Sequence, residues 1–248
     1  MNQNTAPAAM PTISQIVRSD YRTADVFKKW GINYCCGGNL PLQEACAVKN
    51  ISLPVIEEDL QAATKTVQLS NSLHFNEWPV FFLVDYILYV HHAYVKQAVP
   101  TLRQTLGSFV SGHNKKYPYL AAVEETFQNL SEVLIQHTLK EEESIFPYVK
   151  QISYTYERKE TYGSLFVRTM RKPLAETIAK EHDRISNLLI LLREQTNHYR
   201  FKEDACTNHQ VIYHKLKEFD ADLVQHKHLE NNILFPKVLQ MEKTLLKL

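Results

Sequence analysis

Two stretches of this chain carry the same arrangement of donor groups. The first reads His137-Thr-Leu-Lys-Glu141-Glu-Glu-Ser-Ile-Phe146-Pro147, the second His226-Lys-His-Leu-Glu230-Asn-Asn-Ile-Leu-Phe235-Pro236. In each, a His is followed one helical turn later by a Glu, and then by a Phe-Pro pair. Residues four apart share one face of a helix, so each copy aims an imidazole and a carboxylate at one point. A single His precedes each copy at a matching distance: His92 before His137, and His182 before His226. His92, His137, Glu141, His182, His226 and Glu230 are therefore six candidate metal ligands. Imidazoles suit the ends of a dinuclear centre, and Glu from two helices supplies oxygens that bridge it. Two buried glutamates would be costly without a compensating cation. Four His with two Glu on four helices suit two irons better than a four-ligand structural zinc, and ligand type alone leaves manganese open. Either copy by itself would read as a packed core His beside a solvated carboxylate. Two copies with matching endings and matching single His favour the metal site.

Such ligands need helices that face one another. An internal repeat of one His and then a His/Glu pair implies two helix hairpins, hence an all-α fold with an antiparallel four-helix bundle. The helical period predicts helices over about 80–110, with Pro100 kinking the first, about 119–150, about 173–198, and from Thr207 or Asn208 to the C-terminus. Residues 151–171, rich in Tyr and Thr, read as an irregular connection. Before the bundle lies a small helical module. Thr23 or Asp20 caps a helix through Trp30 that stops at Gly31, Pro41 opens a short helix holding Cys46, and Ser52-Leu-Pro54 starts one running to about Leu69. The organisation expected is a small helical domain over residues 1–71, a polar linker over 72–78, and the bundle over 79–248.

Composition narrows the class. A formal net charge of +1 offers no field for nucleic acid. The start, MNQNTAPAAMPTIS, has no charged segment followed by an apolar core, so no signal peptide is expected. No apolar run reaches membrane-spanning length, since Phe81 to Val95 is broken by Asp85, His91 and His92. Four cysteines in 248 residues are not a disulfide framework and point to a cytoplasmic protein with reduced thiols.

Cys35 and Cys36 stand side by side before Gly37 and Gly38. A disulfide between neighbours closes a strained, reducible ring, and thiolates also take up soft metals. These two are candidate catalytic groups, with Cys46 as a resolving thiol or third ligand. The competing reading is inert thiols packed as small hydrophobes. Cys206 reads as structural.

The strings HTLKEEESIFP, KEHD and HKHLENNILFP, preceded by DYILYVHHAYV, resemble the hemerythrin-like di-iron proteins that repair iron–sulfur clusters. The stretch Gly31-Ile-Asn-Tyr-Cys-Cys-Gly-Gly-Asn-Leu-Pro-Leu-Gln-Glu-Ala-Cys46 resembles that family's small N-terminal domain. The resemblance covers nearly the whole chain. It implies two iron ions, bridged by oxo or hydroxo and by Glu, at the six positions above. It also implies repair of clusters damaged by nitric oxide or oxidants, damaged iron–sulfur proteins as clients, and a homodimer. His92 rather than His91 fits that family's register, seven residues after Asp85; a helix rotated by one residue would present His91. Oxygen-carrying hemerythrin has a further His one turn after its third-helix His, where this chain has Ser186, a poor iron ligand. That departure implies a reactive or iron-donating centre rather than an oxygen store. A centre that binds or reduces nitric oxide, or senses dioxygen, is the alternative. His228 reads as a surface residue, and Glu142, Glu143, Glu181 and Asp183 as candidates to orient the imidazoles.

Overall fold

The computed structural model describes residues 11–35, 38–65, 73–170 and 174–247. Among them no β-strand forms, and one isolated bridge pairs Thr12 with Pro41. The chain divides into two units, residues 1–69 with 200–215 and residues 70–199 with 216–248. Residues 200–215, which the sequence reading places in the bundle, thus group with the N-terminal segment.

The first unit holds α1 (Ile13–Ser19), α2 (Thr23–Lys29), α3 (Leu42–Lys49) and α4 (Leu53–Thr64). Helix α1 is absent from the expectations above, although its start is written in a capping box: Thr12 Oγ1 accepts from Gln15 N, and Gln15 Oε1 accepts from Thr12 N. Helix α2 ends at Gly31, with φ +64°, and the Ile32 amide closes back on the Phe27 carbonyl at 2.8 Å. That is the left-handed glycine stop expected there. Helix α3 ends in the same way at Asn50, with φ 53°. Helix α4 ends at Thr64, where Lys65 turns to ψ 124°, short of the expected end near Leu69; residues 66–72 lie outside the described residues. Phe27, Ile13 and Ile56 are wholly buried in this unit's core, joined by Val17, Cys46 and Val211.

The second unit is the four-helix bundle. Its first rod is α5 (Val80–Tyr86), a π turn at Ile87–His92 and α6 (Ala93–His113). The second is α7 (Leu120–Lys140), a π turn at Glu141–Ile145 and α8 (Phe146–Glu157), followed by the short α9 (Gly163–Met170). The third is α10 (Leu174–Gln195), and the fourth is the part of α11 (Thr207–Leu229) from Leu216 onward, a π turn at Glu230–Leu234 and α12 (Phe235–Leu245). Helix α6 packs on α7 while α5 packs on α8, so the first two rods are antiparallel.

Two expectations are corrected. Residues 151–157 continue α8 and 163–170 form α9. The β-branched and aromatic residues there have modest helix propensity, but packing overrides it: Val167 is fully buried, and a side chain at Gly163 would run into Leu245. Part of the segment read as a linker is also ordered. Residues 75–77 make a 3-10 turn, and Phe75 and Trp78 pack on the bundle core and on each other, 4.6 Å between ring centroids.

The buried positions of α7 explain how ligands come to lie inside. Leu120, Val123, Phe127, Leu130 and Leu134 form one apolar stripe at alternating spacings of three and four, and His137 and Glu141 are its next two members. Leu216, Phe219 and Leu223 lead into His226 and Glu230 in the same way, and Ile178 and Ile185 flank His182. The polar donors occupy places where the pattern calls for leucine. Phe146 and Phe235 lie buried in the core beyond the site, which accounts for the repeated Phe.

Candidate metal centre

The three π turns sit at the ligands. Two begin at Glu141 and Glu230, and the third contains His91 and His92. Wide turns of this kind inside α-helices are frequent at functional sites. In the two copies the carbonyls of Glu141 and Glu230 accept from the Phe146 and Phe235 amides, five residues on. Pro147 and Pro236 come next and have no amide to lose when the ladder shifts, so the repeated Phe-Pro writes the wide turn into the sequence. In the first rod the wide turn carries two consecutive His inward: His91 and His92 are 1% and 0% exposed. The choice between them therefore does not rest on burial. His92 turns its Nε2 to the other donors, and His91 turns its Nδ1 to Asp222 at 2.9 Å.

All six candidate ligands converge. His92, Glu141, His226 and Glu230 bring donor atoms within 4.8 Å of one another, as do His137, Glu141, His182 and Glu230. The two groups share both glutamates. Glu141 faces His92 Nε2 at 3.4 Å with one oxygen and His137 Nε2 at 3.3 Å with the other. Glu230 likewise faces His226 at 3.1 Å and His182 at 3.3 Å. The imidazoles meet in pairs, His92 Nε2 to His226 Nε2 at 3.2 Å and His137 Nε2 to His182 Nε2 at 3.0 Å. Metal–imidazole bonds of about 2.0–2.1 Å meeting at right angles place two nitrogens about 3 Å apart.

Three imidazoles are gripped from behind. Glu142 accepts from His92 Nδ1 at 2.8 Å, Glu181 from His137 Nδ1 at 2.9 Å, and Asn231 Oδ1 from His182 Nδ1 at 2.8 Å. Lys96 and Lys140 hold the far oxygens of Glu142 and Glu181 at 2.7 and 2.6 Å. A ring that donates from Nδ1 carries its lone pair on Nε2. In the His137–His182 pair two lone pairs therefore face each other, while the buried oxygens of Glu141 have no hydrogen-bond partner. A cation between these atoms satisfies both demands, so the donor set fits metal. Burial drives the pKa of His92 down to about 4, with the charge of His226 adding to it, and burial also lowers that of His137, which favours the uncharged ring that a metal needs. Burial and the neighbouring Glu230 push the Glu141 carboxyl well above its usual range.

Of the other groups singled out, Glu143, Asp183 and His228 are exposed and lie outside the site. Ser186 donates to the His182 carbonyl at 2.6 Å and receives Lys227, so it is not among the donors. Asn231 and Asp222 are absent from the sequence reading. Asn231 has a signal there, as the counterpart of Glu142 one residue after the second Glu.

In the first unit, Cys35 is half-buried and its amide bonds to Asn33 Oδ1 at 2.9 Å, whereas Cys36 and Gly37 lie outside the described residues. Cys46 is 2% exposed in the apolar core and its thiol is pushed up by burial. That environment suits the packed-thiol reading better than a resolving one. Burial drives the Tyr34 hydroxyl up to about 12, and Asp25, Cys35 and Cys206 add to it. A Cβ at Gly38 would overlap the Tyr34 carbonyl. Gly38→Ala should therefore cost about 1–3 kcal/mol of stability, measured by urea denaturation; an unchanged midpoint would show that the loop yields freely.

An all-α bundle with this buried His/Glu cage defines a cation-binding helical protein. The chain belongs to the hemerythrin family: residues 83–238 match the hemerythrin HHE cation binding domain. Residues 10–64 match the ScdA N-terminal domain, a domain of unknown function. Among curated relatives, the chain is 28% identical over 230 residues to the iron-sulfur cluster repair protein YtfE of Escherichia coli O157:H7, covering 93% of this chain and 97% of the relative. It is 23% identical over 225 residues to the iron-sulfur cluster repair protein ScdA of Staphylococcus haemolyticus, covering 91% and 96%. A probable iron-sulfur cluster repair protein of Haemophilus influenzae is 27% identical over 231 residues, covering 93% and 97%.

Proposed function

We propose that this chain is a di-iron protein that helps restore iron–sulfur clusters damaged by oxidants or nitric oxide. The observation that carries the metal reading is the convergence of four buried imidazole nitrogens on two carboxylates that serve both halves of the cage. The repair reading is supported by the relatives, which bear that name over nearly their full length. Two irons there, bridged by Glu141 and Glu230 and by oxo or hydroxo, would supply electron exchange or iron for a client.

The chain's own residues set the conditions. His92, His137, His182 and His226 present ring nitrogens to the cage, Glu142, Glu181 and Asn231 fix three of those rings, and burial keeps bulk water from the glutamates. Ser186 leaves one fewer imidazole than an oxygen carrier would need. Cys35 and Cys36 assist transfer or reduction. Damaged iron–sulfur proteins are the clients, nitric oxide and dioxygen are the small molecules the centre meets, and the chain works as a homodimer. A cytoplasmic setting, where thiols stay reduced, belongs to this reading.

The test begins with elemental analysis and an absorption spectrum of fresh protein: two irons per chain are expected, and zinc in equal amount counts against the proposal. Iron-loaded protein should then restore a nitric-oxide-damaged cluster enzyme, and the double variant Cys35→Ser, Cys36→Ser should slow that recovery. Catalytic consumption of nitric oxide without recovery of the enzyme would overturn the repair reading in favour of a gas-reducing one.

A further inference from the structure

The duplication extends beyond the ligands to the groups behind them, and there it breaks at one place. Glu142 follows Glu141 and accepts from His92, while Asn231 follows Glu230 and accepts from His182. Glu181 precedes His182 and accepts from His137. The counterpart of Glu181 is the residue preceding His92, and the ring it should hold is His226. That residue is His91. Instead of accepting from His226, it lies flat against the His226 ring, with centroids 5.4 Å apart and planes 10° from parallel. Its Nδ1 is given to Asp222, one turn before His226, at 2.9 Å. His226 Nδ1, His91 Nε2 and Asp222 Oδ2 are all left buried without a hydrogen-bond partner. Three of the four imidazoles are thus anchored at both ends, and the fourth only through a neighbour's face.

We infer that the two ion positions of the cage are unequal, and that the one between His92 and His226 gives up its ion first because His91 and Asp222 leave His226 without an acceptor. An outer acceptor fixes a ligand ring's orientation and raises its basicity, and its loss typically weakens metal affinity by about 10–100-fold. His226 lacks that support, whereas His137, its counterpart, has it from Glu181. His91 is accordingly a positioning residue. The inference rests on the two-ion reading above and deepens it by naming the position that releases iron.

The experiment loads the full chain anaerobically with two ferrous ions, adds excess of a coloured ferrous chelator and follows release. The unmodified chain should lose one ion in a fast phase and the other in a slow one. His91→Glu, which returns a carboxylate to the place occupied by Glu181 in the other half, should slow the fast phase about tenfold or more and leave the slow phase alone. His91→Gln, whose amide oxygen also accepts, should slow it in the same direction. Tighter retention cannot come from misfolding, so the sign separates positioning from damage. Glu181→Gln should speed the slow phase. Loading of two ions followed by a single release phase, or a fast phase that neither His91 variant slows, overturns the inference alone. Failure to load a second ion overturns it together with the two-ion reading, and neither outcome depends on whether cluster repair is observed.

Discussion

Replacing Glu141 by Leu should make the ion-free chain more stable while abolishing its capacity for two ions. Position 141 continues the apolar stripe of Leu130 and Leu134, so leucine suits its surroundings. The native carboxyl there is fully buried, with both oxygens lacking a hydrogen-bond partner. A buried polar group without a hydrogen-bond partner carries a desolvation penalty of about 1–3 kcal/mol, which an apolar side chain of similar volume does not. The sign with pH follows from linkage. The Glu141 carboxyl is raised in the folded state, so its proton is held more tightly there than in the unfolded chain. Its contribution is present below the unfolded value and is lost as pH rises through the carboxylate range towards the folded one. The advantage of Glu141→Leu over the unmodified chain should therefore grow from acid to neutral pH in urea denaturation of chelator-treated protein. Iron content should fall well below two per chain, because both halves of the cage lose a shared oxygen donor. An ion-free variant less stable than the unmodified chain at neutral pH would mean that Glu141 serves the fold rather than the metal.

Saturating the centre should shift the thermal transition of the bundle strongly upward. A ligand bound only by the folded state, at a thousand times its dissociation constant, adds about 4 kcal/mol. For a chain of this size each kcal/mol moves Tm by about 2–4 °C, so about 8–16 °C is expected. The increment should disappear in Glu230→Ala, since that side chain faces both His182 and His226. Calorimetry with and without chelator measures it. A transition indifferent to iron in the unmodified chain would leave the buried donors without their proposed counterpart.

The sequence made the recurring signals legible and hid the solitary ones. His137/Glu141 and His226/Glu230 stand out because a helical turn and a duplicated Phe-Pro mark them twice, and Gly31 announces the end of α2 by a conformation that glycine adopts freely. The wide turns escaped because hydrophobic periodicity assumes one pitch along a helix. That assumption also forced a choice between His91 and His92, although the locally widened turn buries both. Helix α9 escaped because Val167 and Gly163 are held by tertiary contacts that local propensity does not record. Asp222 was invisible for a similar reason: its partner His91 lies 131 residues away in the chain. Val211 in the first unit's core shows the same limit, since it is drawn from a stretch remote in sequence.

Pro147 and Pro236 have a consequence for traffic through the cage. Because each imino acid has no amide to lose to the widened turn, the turn that presents each glutamate costs the helix no backbone bond at that residue, and an ion entering or leaving would not have to reshape it. The cost of shaping the cradle is met during synthesis rather than at each exchange. A purely structural zinc module, ordered only by its metal, would by contrast lose its fold with the ion.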